Sequence, residues 1–215
     1  MKLYYYGHSA CMLETAGTRI LIDPYFSQNP LSPVKPEEIS ADYIFVTHGH
    51  FDHLGDAEAI AKRCGATVCG IPELGRMLSG VNFQGANLGG WAEFPFGRVK
   101  MTPAAHSSGI PGGIACGFLF EAEGKKVYHA GDTALIADFA LLGPEKVDVA
   151  LLPIGGYYTM GIDDAVRAAE MIEAGTLVPM HYNTFPAIQA SPEEFREKCG
   201  SRRVEILQPG GCLEL

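Results

Sequence analysis

The sequence predicts an α/β fold built from two mixed β-sheets with helices on their outer faces. Short apolar segments typical of buried strands alternate with helical segments in both halves of the chain. The 26 glycines and 14 prolines indicate many tight turns, and 47% hydrophobic with 19% charged residues is typical of a globular protein. With 215 residues, the chain is predicted to form a single domain over residues 1–215.

The N-terminal part of the chain predicts a meander of short strands. Strands are expected at residues 3–6, 10–14 and 18–22, and the third ends at Asp23-Pro24. After a proline-rich loop, residues 43–46 predict a short buried strand that leads directly into Thr47-His48-Gly49-His50-Phe51-Asp52-His53. This histidine-rich segment is therefore expected in a loop between a strand and a helix.

The remainder of the chain continues the alternation of strands and helices. Ser191-Pro192-Glu193-Glu194 supplies an N-cap, a proline in the first turn and a capping-box glutamate for the last helix. The predicted elements are a helix at 56–62, a strand at 66–69, a short helix after Pro72, strands at 91–94, 99–102, 116–121 and 126–129, a helix at 134–142, a strand at 147–152, a helix at 162–174, a strand at 177–180 and a helix at 192–198.

The two halves of the chain resemble one another. In each half a strand leads to an aspartate, Asp23 or Asp132, and a second predicted strand follows at 43–46 or 147–152. The first copy then carries histidines, where the second carries Gly155-Gly156. Either an ancestral duplication or chance explains this echo.

Charge and hydropathy exclude several classes of partner. A formal charge of -9 and a pI near 5.2 argue against nucleic acid, whose binding needs clustered Lys and Arg. No apolar stretch approaches the ~20 residues of a membrane span, and the N-terminus lacks the apolar core of a signal peptide. The protein is expected to be soluble and cytoplasmic, with its six scattered cysteines reduced.

The histidine-rich segment is the strongest functional feature of the sequence. Imidazole and carboxylate groups hold zinc, iron or manganese while leaving a position open for water, and four such groups lie within six residues here. One loop cannot complete two coordination shells, so further ligands are expected at other strand ends. The sequence places three there: His106, Asp132 and His181.

The candidate ligands resemble those of the metallo-β-lactamase superfamily in their order and spacing. The pattern is T-H-G-H-F-D-H at 47–53, followed by His106, by Asp132 in A-G-D-T and by His181. The segments Y-G-H-S at 6–9, Asp23-Pro24 and P-I-G-G at 153–156 are similar to the superfamily's small metal-dependent hydrolase branch. That branch is akin to ascorbate-6-phosphate lactonase and N-acyl phosphatidylethanolamine phospholipase D. Position 132 lacks the cysteine of true metallo-β-lactamases, and position 50 lacks the glutamate of flavodiiron proteins.

The resemblance implies a four-layer αββα sandwich and a specific set of ligands. His48, His50 and His106 would hold one metal, Asp52, His53 and His181 would hold the other, and Asp132 would bridge them. Two divalent ions are implied, with zinc expected and manganese, nickel or iron as alternatives.

A complete ligand set predicts a metal-dependent hydrolase. A metal-bridging hydroxide would attack a small ester, lactone, amide or phosphodiester, with Asp52 as the catalytic residue that orients it. An iron-dependent redox enzyme similar to sulfur dioxygenase and a metal-binding protein without catalysis remain alternatives. The expected partner is a small-molecule substrate, and a homo-oligomer is left open.

Several other residues are candidates for a place near the metals or in a substrate pocket. His8 and His129 could each orient a ligand or lie in the core. Asp23 could hydrogen-bond beside the site or only begin a turn. The aromatic residues of the loops after the last two predicted strands could line the pocket or pack those loops: Tyr157, Tyr158, Tyr182 and Phe185.

Overall fold

The computed structural model describes residues 1–215, and its strands form two sheets. The 13 strands are β1 (Lys2–Tyr5), β2 (Cys11–Thr15), β3 (Thr18–Ile22), β4 (Tyr43–Phe45), β5 (Thr67–Gly70), β6 (Asn82–Gly85), β7 (Trp91–Phe94), β8 (Gly97–Pro103), β9 (Cys116–Ala122), β10 (Lys125–His129), β11 (Val149–Pro153), β12 (Thr176–Met180) and β13 (Cys212–Glu214).

The helices are short. The α-helices are α1 (Phe51–Leu54), α2 (Ala57–Cys64), α3 (Ile162–Ile172) and α4 (Pro192–Lys198), and 3₁₀ segments occupy Pro36–Glu38, Pro72–Met77, Ala137–Glu145 and Pro186–Ile188. The Ser191 hydroxyl accepts the Glu194 backbone N–H at the start of α4, as the capping motif predicts. None of the helices combines the length and the apolar character that crossing a membrane requires.

Both sheets follow the same plan. The seven-stranded sheet has the order β13-β1-β2-β3-β4-β5-β6, antiparallel up to β3 and parallel from β3 to β6. The six-stranded sheet has the order β12-β11-β10-β9-β8-β7, antiparallel from β7 to β10 and parallel from β10 to β12. An antiparallel meander followed by parallel strands in each half matches the echo in the sequence.

Aromatic side chains pack the two sheets against each other. The Phe45 ring on β4 lies 5.2 Å from that of Phe118 and 5.0 Å from that of Phe120, both on β9 of the other sheet. Helix α2 packs on β5 and α3 packs on β11. The predicted αββα sandwich with two mixed sheets is therefore confirmed. All six cysteines are free in the structure.

The sequence prediction was wrong at several elements, among them the histidine-rich segment expected as a loop, in which Phe51–Leu54 form α1. Residues 137–145 form a 3₁₀ segment in place of an α-helix over 134–142, since Pro144 within it cannot donate a backbone hydrogen bond. Strands β6 and β13 were not predicted, because both lie at sheet edges and their largely exposed residues lack the apolar alternation of a buried strand.

The fold gathers the predicted ligands at one edge of the sandwich. Asp23 follows β3 directly, and the histidine-rich segment follows β4. In the other sheet, His106, Asp132 and His181 follow β8, β10 and β12. Since the carboxyl ends of neighbouring parallel strands meet at one edge, residues distant in sequence converge there.

Candidate metal centre

Three histidines form the first group of ligand atoms. His48 Nε2 lies 2.9 Å from His50 Nδ1, and His106 Nε2 lies 3.3 Å from the same His50 atom. His48 and His50 come from the loop after β4, whereas His106 comes from the other sheet. Their ligand atoms all lie within 4.8 Å of one another, so one ion could be held by all three.

A second group lies beside the first. Asp52 and His53 on α1 approach His181, and His8 joins the same group of ligand atoms. His181 Nε2 lies 4.0 Å from Asp52 Oδ2. The backbone N–H of His181 donates to the His8 carbonyl over 2.7 Å, which ties the loop after β12 to the loop after β1.

The carboxylate of Asp132 connects the two groups. Its Oδ1 lies 3.2 Å from His53 Nε2, and its Oδ2 lies 3.1 Å from His181 Nε2. The same Oδ2 lies 3.5 Å from His106 Nε2. Asp132 is only 3% exposed and therefore reaches both groups of ligands from within the protein.

Unsatisfied polar atoms at this centre fit a bound cation. His53 Nε2, Asp132 Oδ1 and His181 Nε2 are buried, and none of them makes a hydrogen bond of good geometry despite the short distances to the neighbouring carboxylate or imidazole. Buried polar atoms without partners cost roughly 1–3 kcal/mol each, so such atoms are rare unless something else binds them. Six imidazoles and two carboxylates supply the donor types that zinc and related ions prefer.

Asp23 and Thr47 orient two of these imidazoles. The Thr47 hydroxyl donates its only hydrogen to Asp23 Oδ2 over 2.7 Å, and the Thr47 backbone N–H donates to Oδ1 over 2.8 Å. His48 Nδ1, 3.0 Å from that hydroxyl, must then be the donor. His53 Nδ1 donates to Asp23 Oδ2 over 2.6 Å. Both Nε2 atoms are thereby left facing the centre, where each can offer a lone pair to a metal ion.

His8 is held between Thr184 and Asp52. His8 Nδ1 lies 2.6 Å from Thr184 Oγ1, and its Nε2 lies 3.1 Å from Asp52 Oδ2. Its ring is fully buried, and the residue adopts a left-handed backbone conformation with φ of 60°. Non-glycine residues in this region carry strain of about 1–3 kcal/mol, which the surrounding contacts must offset.

The electrostatics of the centre favour neutral imidazoles beside ionised carboxylates. Burial lowers the pKa of His8 to about 4, and the neighbouring His181 adds to the shift. Burial, together with His53, holds the pKa of His48 well below its usual value. Burial opposes ionisation of Asp52, but the hydrogen bond from His8 and the charge of His53 lower its pKa below the usual range. Neutral imidazole and ionised carboxylate are the metal-binding forms of these groups.

His53 differs because it lies between two carboxylates. Burial alone would lower its pKa, but Asp132 and Asp23 outweigh burial and raise the pKa well above its usual value. Protonation of His53 would place the added proton on Nε2, the side that faces Asp132, because Nδ1 already donates to Asp23. A metal ion binding at Nε2 must displace that proton.

His129 lies behind the centre and is not one of the candidate ligands. Its Nε2 lies 2.9 Å from the Ser9 carbonyl and donates to it, and its Nδ1 accepts the Gly131 backbone N–H over 3.2 Å. The ring is fully buried. His129 therefore fixes the backbone immediately before Asp132.

An open pocket of about 630 Å³ lies over the centre. Loops after several strands form its walls, and Tyr158 is the one predicted tyrosine among them. Tyr157 points into solvent with 81% of its surface exposed, and Tyr182 is 9% exposed within the core. The lining consists of His50, Phe51, Asp52, His106, Ser107, Asp132, Tyr158, His181, Phe185, Pro186 and Ala187.

Comparison with known proteins places the chain in a family. Residues 18–182 match the beta-lactamase superfamily domain. A UPF0173 metal-dependent hydrolase of Archaeoglobus fulgidus is 46% identical over 229 residues, which cover 100% of this chain and 99% of the relative. The chain belongs to the metallo-β-lactamase superfamily. A second UPF0173 metal-dependent hydrolase, from Geobacillus thermodenitrificans, is 47% identical and covers 100% of both chains.

Solved structures of this superfamily share the fold. Igni18, a metallo hydrolase from Ignicoccus hospitalis, has a TM-score of 0.93 at 42% identity and covers 100% of this chain and 98% of its own. An isothiocyanate hydrolase from Delia radicum gut bacteria has a TM-score of 0.79 at 22% identity, which shows similarity of fold alone. The predicted membership of the metal-dependent hydrolase branch is thus confirmed.

The structure brings together all seven residues that the sequence predicts as metal ligands. The seven predicted ligands lie in the two groups described above and in Asp132 between them. Asp23 hydrogen-bonds to His53, and His8 hydrogen-bonds to Asp52. Sequence reasoning missed Thr184, a small polar residue that nothing in its local sequence distinguishes from other loop residues. It also assigned no role to the Thr47 hydroxyl, although Thr47 immediately precedes His48.

Proposed function

We propose that the protein is a binuclear metal-dependent hydrolase that acts on a small ester, lactone, amide or phosphodiester. Its relatives, which align over their whole length, are named metal-dependent hydrolases. The observation that carries the two-metal proposal is the Asp132 carboxylate, whose two oxygens face histidines of both ligand groups. A carboxylate between two sets of donors is the arrangement expected of a bridging ligand.

The proposed ligands divide between two ions. His48, His50 and His106 would hold one ion, and Asp52, His53 and His181 the other, with Asp132 shared. Zinc suits these nitrogen and oxygen donors, and manganese, nickel or iron would be accepted by the same types. When bound, two divalent ions supply a hydroxide nucleophile near neutral pH and polarise the scissile carbonyl or phosphoryl oxygen.

The protein's own groups would position the reactants. Asp52 faces the pocket and is held on its far side by His8, so its orientation is fixed while one oxygen stays free for the centre. An ionised Asp52 can accept a hydrogen bond from the attacking water and thereby aim it. Neutral His8 donates to Asp52 without adding a positive charge to the site.

The single most informative experiment is elemental analysis of the purified protein combined with a screen of ester, lactone, amide and phosphodiester hydrolysis. Two ions per chain with turnover are expected. One ion per chain would contradict the two-metal proposal. Bound iron, uptake of oxygen and no hydrolysis would indicate a redox enzyme instead of a hydrolase. Stoichiometric metal without any turnover would indicate a metal-binding protein without catalysis.

Asp23→Asn should weaken metal binding about 10–100-fold, the usual cost of losing a partner behind a ligand. An amide that donates toward His53 Nδ1 moves the imidazole hydrogen to Nε2, where the metal must bind. Competition with a chromophoric chelator measures the affinity. Asp42→Asn is the matched control, because its exposed carboxylate only accepts the Arg19 backbone N–H. Unchanged affinity in a folded Asp23→Asn variant would contradict the role of Asp23.

His8→Asn should lower kcat roughly 10–100-fold while metal content is retained. Asparagine tolerates the left-handed backbone at this position, so the fold should survive the change. Thr184→Val tests the same contact from the other side, because it removes the hydroxyl next to His8 Nδ1 and keeps His8 in place. Both variants should change kcat more than KM. A loss of metal that parallels the loss of rate would instead make His8 a structural residue.

A further inference from the structure

The wall of the pocket beside the metal centre is aromatic and apolar. Phe51 begins α1, between the ligands His50 and Asp52, and Phe185 follows from the loop after β12. Their rings lie 6.1 Å apart, and buried Tyr25 supports both, at 6.0 Å from Phe51 and 6.4 Å from Phe185. Tyr158 adds a third aromatic ring from the loop after β11.

Two of these rings expose much of their surface to the pocket or to solvent. Phe51 is 60% exposed and Tyr158 is 54% exposed, although both stand beside a buried centre. Exposed aromatic surface next to a reactive site indicates contact with a ligand, because covering it removes apolar area from water. Rings in these positions can pack against a flat or branched apolar group.

The same wall lacks positive charge. None of the residues that line the pocket is a lysine or an arginine, and its charged side chains are the carboxylates of Asp52 and Asp132. An anionic group on a substrate, placed away from the metals, would find no cationic partner there. The formal charge of -9 on the chain adds a long-range field that repels anions.

We infer that the site takes uncharged acyl compounds, esters or lactones, that carry an aromatic or branched apolar group next to the scissile carbonyl. This inference rests on the proposed hydrolytic function and narrows it, since it excludes phosphodiesters and anionic acyl groups. Water adds to the carbonyl carbon, the carbon–oxygen bond to the alcohol breaks, and the alcohol leaves with one proton. The carboxylic acid that forms releases its proton to solvent near neutral pH.

The released proton provides the assay. Zinc-loaded protein is tested by pH-stat titration with methyl phenylacetate, methyl acetate, the methyl monoester of 4-carboxyphenylacetic acid (ester on the acetic arm) and methyl phenyl phosphate. The first compound should exceed methyl acetate in kcat/KM by about tenfold, the scale of apolar discrimination in a pocket. The added carboxylate should remove that advantage, and the phosphodiester should be the poorest substrate.

Variants of the wall separate its role from that of the metals. Tyr158→Ala and Phe185→Ala should raise KM for methyl phenylacetate severalfold and KM for methyl acetate much less, with full metal content. Tyr158→Phe should keep the preference, because the ring and not the hydroxyl makes the contact. Leu141→Ala is the control, since Leu141 is 70% exposed and does not line this pocket.

The outcomes distinguish the inference from the proposed function. If none of the compounds is hydrolysed above the metal-stripped protein, the proposed hydrolase itself fails. If hydrolysis occurs but methyl acetate, the carboxylated ester or the phosphodiester is preferred, the hydrolase stands and the inferred substrate class is overturned. Equal losses for methyl phenylacetate and methyl acetate in Tyr158→Ala would also overturn it.

Discussion

Asp52→Asn should reduce the rate of hydrolysis by about a thousandfold, within the range for removal of a general acid–base group. The asparagine keeps the size of the side chain but lacks the negative charge that accepts a strong hydrogen bond from the attacking water and orients it. It also offers His8 Nε2 only one acceptor oxygen, where the carboxylate offers one oxygen to His8 and a second to the centre. Steady-state kinetics with the best ester of the screen measures the effect.

Metal content must be measured in the same Asp52→Asn preparation. If one ion is lost, adding excess zinc should restore occupancy without restoring the rate, because the missing charge is needed in the reaction itself. Asp138→Asn is the control for a general effect of removing a carboxylate, since Asp138 is exposed on the segment Ala137–Glu145. Hydrolysis at the original rate in Asp52→Asn would refute the catalytic role of Asp52.

Removing the metals should lower the melting temperature by roughly 8–16 °C. An ion present at a thousand times its dissociation constant stabilises the folded state by about 4 kcal/mol. In a chain of this size, each kcal/mol shifts the melting temperature by about 2–4 °C. Buried Asp132 Oδ1 and His181 Nε2, left without partners, contribute to this loss. Calorimetry with and without a chelator, followed by addition of zinc, measures the shift.

The Asp132→Ala variant provides the control for chelation. If Asp132 bridges the ions, this variant should bind metal weakly, and its melting temperature should respond much less to the chelator. If the metal-stripped protein melts within about 2 °C of the loaded protein, bound metal contributes little to the stability of the folded state. That result would contradict the stabilisation expected from metal binding.

The sequence could predict that the candidate ligands come together, because each lies in a segment that follows a strand. A histidine or aspartate soon after an apolar segment is expected at the carboxyl end of a strand. Since His106, Asp132 and His181 follow strands of one sheet that run in the same direction, they are expected near one another. His48 and His50 are two residues apart, and Asp52 and His53 are adjacent. Their closeness in space therefore follows from the sequence alone. Periodicity also predicted most strands, since their buried positions alternate or run continuously.

The sequence could not predict the contacts that cross between distant loops. Thr184 lies 176 positions from His8, and only the fold brings the two side chains together. The adjacent residues Tyr157 and Tyr158 are chemically identical, but the backbone of the loop, with a positive φ at Tyr157, turns one into solvent and the other toward the pocket. Composition and periodicity carry no information about such a turn.

The shared plan of the two sheets gives Asp23 and Asp132 corresponding places, each just beyond the strand at which antiparallel pairing changes to parallel. The two carboxylates nevertheless differ in what they contact. Asp23 accepts hydrogen bonds from Thr47 and His53, whereas Asp132 faces the ring nitrogens that converge on the centre. Two similar frameworks thus place an aspartate at corresponding positions with different surroundings, one holding a histidine in place and the other facing the candidate metal centre.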